Sequence, residues 1–196
     1  MNYYRSAVLP ALVIVAVSGS WPSNAVAGVV EDLTIPEMAA RATIVVHGTV
    51  GQVDMAWDES HTRIFTTVDI DVISYFSGQG PRTVRIRQVG GRVGDTELRV
   101  IGQPTFRTGE EVVVFLEPDG SRVPGSWVVL CMAAGKFSVT IDETTGELVL
   151  SRDLGEISSI TVRADRGRPI RRSVRPLLLR DLEGEVRRTV RSGGTP

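Results

Sequence analysis

The chain holds one cysteine, one lysine and two histidines in 196 residues. A single thiol, Cys131, excludes an internal disulfide, so any fold has to rest on burial. With only His47 and His61 there is no HExxH pair, and CxxC cannot occur, which removes the common zinc motifs. No GxSxG elbow is present, and no DxDxDG run supplies the oxygen ladder of a calcium loop. The glycine-rich stretch QVGGRVGD, residues 88–95, is not followed by the lysine of a phosphate-binding GxxxxGK loop. Gly90, Gly91 and Gly94 also lack the GxGxxG spacing of a dinucleotide fingerprint, and the strand-like ELRVIG follows where a helix is needed. A conformational role remains for these glycines, with positive φ or a bulge at a bend. Catalytic, cofactor-binding and metal-binding residues are expected to be none.

Long apolar runs are also scarce. The apolar stretch at residues 7–17 is broken only by Pro10, follows the basic Arg5, and precedes Ala25, Val26 and Ala27, an A-x-A cleavage pattern. Together these read as a signal peptide over residues 1–27, too short in its apolar part to cross a bilayer. The expectation is an exported, extracytoplasmic protein, periplasmic or secreted, with no transmembrane segment after cleavage. The rest is long enough for one domain with a real core.

Charge is divided. Residues 28–162 carry 19 acidic against 11 basic side chains, whereas residues 163–196 carry 10 arginines against 4 acids. An acidic body thus precedes a basic tail. Arg163, Arg166, Arg168, Arg171, Arg172 and Arg175 could meet an anionic envelope surface, or the tail could pack near the acidic body. No aromatic residue stands among these arginines for base stacking, so nucleic acid is not expected as a partner.

Thr34, Pro36 and Glu37 form a capping pattern for a short helix ending near Arg41. A long strand follows in TIVVHGTVGQVDMAW, with Gly48 and Gly51 marking a bend or bulge. A polar turn at residues 58–60 leads into a strand with Ile64, Thr66, Val68, Ile70 and Val72 on one face and Phe65, Thr67, Asp69, Asp71 and Ile73 on the other. Further strands are expected in TVRIRQV, LRVIG, EVVVFLE, WVVLCM, GKFSVTID and ELVLS. About seven or eight strands with turn signals between them predict a mainly β closed barrel or sandwich over residues 28–150. Cys131, in an apolar run, is expected to be a buried core thiol. Residues 151–175 read as a charged loop or linker. A C-terminal helix is predicted over residues 176–192, with Leu179, Leu182, Val186 and Val190 on one face and an i,i+4 pair between Glu183 and Arg187.

The titratable residues give few constellations. A first hairpin turning at Glu59 would set His47 opposite Asp71, as a surface cross-strand pair rather than a catalytic dyad. Asp69 and Asp71 share a wet face, and Ser60 beside His61 belongs to a turn.

One block of the chain has a recognisable order. It comprises Val46, Gly48 and Val50, then Gly90, Gly91, Gly94, Gly102, Pro104, Phe106, Gly109, Glu110, Phe115 and Leu116, and finally Gly135, Lys136 and Phe137. The block resembles a family of uncharacterised exported bacterial proteins with the pattern GG..G......G.P.F..GE..L.FL followed by GKF.V. The order of strands is also similar to netrin-like modules, which implies an OB-like β-barrel. The metalloproteinase inhibitors among those modules ligate zinc through an N-terminal cysteine. That mechanism does not transfer, because the expected mature N-terminus here is Gly28. The expected function is an exported non-enzymatic binding domain for a protein ligand. The alternatives are an envelope-associated surface protein held by its basic segment, and a hydrolase with an unrecognised site.

Overall fold

The computed structural model describes residues 33–120, 123–154 and 176–193. The predicted signal peptide and the arginines between Arg163 and Arg175 lie outside the described residues. Helix α1 (Ile35–Arg41) starts at a capping box: the Thr34 hydroxyl accepts from the Glu37 amide, and the Glu37 carboxylate accepts from the Thr34 amide at 2.8 Å. Strands β1 (Ile44–Trp57) and β2 (Ile64–Ser77) form a long hairpin, and β3 (Thr83–Val89) continues the meander. A small second hairpin comprises β4 (Gly91–Val93) and β5 (Thr96–Leu98). Then come β6 (Glu111–Pro118), β7 (Ser126–Val129), a 3-10 turn at Met132–Gly135, β8 (Lys136–Ile141) and β9 (Leu148–Ser151). The two-residue β10 (Leu177–Leu178) leads into helix α2 (Leu179–Arg191). The fold is mainly β, with one short N-terminal and one C-terminal helix.

The main sheet runs β1-β2-β3-β7-β6-β8-β9-β10, and β6 also pairs with β1. Five strands, β1, β2, β3, β7 and β6, therefore close into a ring. On one edge β6 meets β1; on the other, Val112, Val113 and Val114 pair with β8 while Leu116, Glu117 and Pro118 pair with β7. The seam between β3 and β7 is parallel and only two pairs long, Arg85 with Ser126 and Ile86 with Trp127.

Alternation around β6 explains why EVVVFLE is apolar throughout. Val112, Val114 and Leu116 join Val46, Val68, Ile70, Val84 and Ile86 in one core. Val113 and Phe115 join a second core with Val45, Phe76 and Phe137, to which α1 and α2 contribute Met38, Leu182 and Val186. A strand with a core on each face needs apolar residues at every position. The faces expected for β2 hold: Ile64, Thr66, Val68 and Ile70 are buried.

Several local expectations need correction. The β1–β2 turn occupies residues 58–63, not 58–60, because the Asp58 carboxylate accepts from the amides of Thr62 (2.7 Å) and Arg63 (3.1 Å). LRVIG is not a strand; the chain pairs earlier, at β5, and turns after Leu98. WVVLCM ends its pairing at Val129, because Cys131 and Met132 take left-handed φ of 55° and 56°; Cys131 is half-buried in that turn, packed against the edge of the core and not enclosed by it. The C-terminal helix starts at Leu179, since Leu177 and Leu178 pair with Leu150 and Val149. The Glu183–Arg187 pair forms at 2.8 Å, whereas Val190 is exposed.

Candidate functional site

The loop GQPTFRTGE, residues 102–110, crosses one end of the ring. Phe106 packs there against the core inside the ring. Ala133 donates to the Gly102 carbonyl at 2.8 Å, and Gly109 donates to the Val50 carbonyl at 2.7 Å, so both ends of the loop are fixed by backbone. Its middle is held by side chains. Gln88 Nε2 donates to the Pro104 carbonyl at 2.9 Å, and Lys136 Nζ donates to the Thr105 carbonyl at 2.7 Å.

Lys136, the sole lysine, also meets Glu110 Oε1 at 2.5 Å and lies 5.1 Å from the centre of the Phe106 ring. Ser138 Oγ donates to the same Glu110 oxygen at 2.6 Å, and Glu110 Oε2 accepts from the Arg107 amide at 3.1 Å. Burial works to raise the Glu110 carboxyl, but hydrogen bonds from Lys136 and Ser138 and the lysine's charge outweigh it and hold the group below the ordinary glutamate range. The arrangement ties a loop to a strand. Ser138 donates to a carboxylate that Lys136 already neutralises, which is not the geometry of an activated nucleophile.

Two clefts flank this loop. The first, about 480 Å³, lies between the β4–β5 hairpin, the end of β3 and residues 99–106; Met55, Gln88, Leu98, Ile101 and Phe106 line it. Met55 and Ile101 are 46% and 59% exposed, so the cleft presents apolar surface to solvent. Gln88 Oε1 is buried behind it without a hydrogen-bond partner among the described residues. The second cleft, about 600 Å³, is more polar, with Arg107, Glu110, Glu111, Ser138, Thr140 and Ser151 in its wall. Thr105 and Asp153 line both clefts, with Pro104 and Phe106 in the wall of the first and Arg107 in the wall of the second, so the loop separates the two on one side.

The predicted His47–Asp71 pair does not form. His47 stands opposite Ser74, and Asp71 stands opposite Thr49, because the longer turn and the bulges near Gly48 and Gly51 shift the register. His47 is buried instead against Phe76, at 5.7 Å between ring centres, and its Nε2 meets Glu111 Oε1 at 2.7 Å. Asp69 and Asp71 do share a face, but each pairs across to β3. Asp69 forms a two-point ion pair with Arg85 (2.8 and 2.9 Å), and Asp71 accepts from Thr83. The Arg85 hydrogen bond lowers the Asp69 carboxyl. Ser60 donates to Asp58 and His61 stacks on Trp57, so both belong to the turn. Among the described residues, no group of three His, Cys, Asp or Glu side chains could hold a metal ion.

Gly90, Gly91 and Gly94 all take positive φ, as their clustering predicts. Gly91 is also packed: a Cβ there would lie 2.7 Å from Thr66 Oγ1. The bend folds β4 over the hairpin, where the Arg92 amide points at Met55 Sδ at 3.2 Å, and so builds one wall of the first cleft.

Sequence reasoning found Pro104, Phe106, Gly109, Glu110 and Lys136 as a pattern but not as one cluster. The signal was the lone lysine in a chain otherwise basic through arginine, together with a glutamate at the start of a buried strand. No family model matches the chain, and no curated protein is similar to it in sequence. Among the described residues, no helix is long and apolar enough to cross a membrane.

Proposed function

We propose that the chain is an exported, non-enzymatic binding domain of the OB-like, netrin-like barrel type. Its ligand is a protein, and its contact surface is the first cleft. The observation that carries this reading is the pairing of exposed Met55 and Ile101 around an open apolar groove. Exposed apolar side chains gathered at a concave site favour a partner that covers them. The five-stranded ring supports the barrel type, and the sequence of residues 1–27 supports export.

A photo-crosslinking amino acid at Ile101 tests the reading in the extracytoplasmic fraction of the producing cell. One discrete protein adduct is expected, and Met55→Asp should remove it while leaving the thermal midpoint nearly unchanged. Absence of an adduct, or adducts indifferent to Met55→Asp, would refute the cleft as contact surface.

A further inference from the structure

We infer that residues 103–108 form a releasable strap, shut by the Lys136–Glu110 pair, whose opening joins the two clefts and uncovers the apolar end of the ring. The strap is bounded by Gly102 and Gly109, with φ of 88° and 83°, conformations that suit hinge positions because glycine adopts them without strain. Both hinges are anchored by backbone hydrogen bonds, to Ala133 and Val50. Between them, the hydrogen bonds from the strap to the strands among the described residues are made by side chains: Gln88 to Pro104, and Lys136 to Thr105. Glu110, just past the second hinge, grips the strap through the Arg107 amide and is itself gripped by Lys136 and Ser138.

Apart from the Gln88 bond, these ties converge on one ammonium group. Lys136 holds the strap directly at Thr105, indirectly through Glu110, and by its position over Phe106. Losing it frees three contacts together, which is how a small local change becomes a segment-sized opening. The Gln88 tie leaves its carbonyl oxygen buried without a hydrogen-bond partner among the described residues, a cost that opening to water would relieve. Because Thr105 of the strap stands between the clefts, alongside Asp153, its departure opens one into the other, and Phe106 leaves the core inside the ring.

Amide hydrogen exchange on the purified protein, with no partner added, tests this. The readout is the Arg107 amide, whose acceptor is Glu110; the references are the Gly109 and Val50 amides at the hinge. In the unaltered protein, Arg107 exchange should be insensitive to low denaturant, the mark of local opening, while Val50 follows global unfolding. Lys136→Met should speed Arg107 exchange by roughly 100-fold and leave the β1–β2 amides at the rate set by global stability. A second reporter, Phe106→Trp, should shift its emission to the red when Lys136→Met is added. If Arg107 and Val50 exchange with the same denaturant slope in the unaltered protein, the strap has no independent opening and the inference is overturned. Its failure would leave the first cleft standing as a contact surface, because no partner enters the measurement.

Discussion

Lys136 and Glu110 are each other's solvent. The ammonium is nearly buried, and the carboxylate faces it from just beyond the strap. Removing one partner strands the other, which costs about 3 kcal/mol for a buried pair. Lys136→Met should therefore lower unfolding free energy by about that amount, and adding Glu110→Gln should restore part of it. Urea titration of the two single variants and the double variant measures the coupling; strict additivity would mean that the pair contributes nothing. The same pair sets an acid limit. A glutamate held below its ordinary range contributes stability that is complete above that range and is lost as pH falls through its lowered value. Glu110→Gln should flatten this acid limb of the stability curve. From sequence alone the pair was half legible. The two residues stood out within a pattern, yet nothing in linear spacing says that a loop folds back to set Glu110 beside β8. His47 shows the opposite case: its partner Glu111 lies on β6, the strand that pairs with the other edge of β1, and not on the hairpin partner β2.

At the scale of elements, local chemistry was readable and register was not. The capping box of α1, the alternation in β2 and the doubly apolar β6 follow directly from residue order. The β1–β2 register depends on Asp58, whose carboxyl is pulled down to about 2, first by the Arg63 amide and then by Thr62 and Ser60. That carboxylate organises a longer turn than the polar trio suggested, with His61 at φ 54°. Shifting a turn shifts every pairing that follows, which is why His47 and Asp71 part company. The glycine bend permits a sharper comparison. Gly91→Ala brings a Cβ against Thr66 at φ 133° and should cost about 1–3 kcal/mol. Gly94→Ala meets open space at φ 59° and should cost about 1 kcal/mol. Thermal unfolding of both variants ranks them; equal losses would show that packing against Thr66 carries no weight.

Across the whole molecule, one strand supports two cores. β6 faces the ring interior with Val112, Val114 and Leu116 and faces the helices with Val113 and Phe115. The ring itself is sealed very unequally: eleven residue pairs join β1 to β2, while the β3–β7 seam has two. That imbalance has a consequence in time. The hairpins bring together neighbours in the chain, whereas two seams join distant segments: β1–β6 through six pairs, and β3–β7 through only Arg85 with Ser126 and Ile86 with Trp127, so the shorter seam has the least pairing to offset its loop closure. Trp127→Leu should accordingly hasten unfolding and hardly alter folding, whereas Val68→Ala in the hairpin should slow folding. Stopped-flow chevron plots separate the two; a folding arm slowed equally by both would contradict late sealing. If the ring closes last at its shortest seam, it should also open there first, and the lifetime of the native state would then be set by two residue pairs and not by the long hairpin that dominates its appearance.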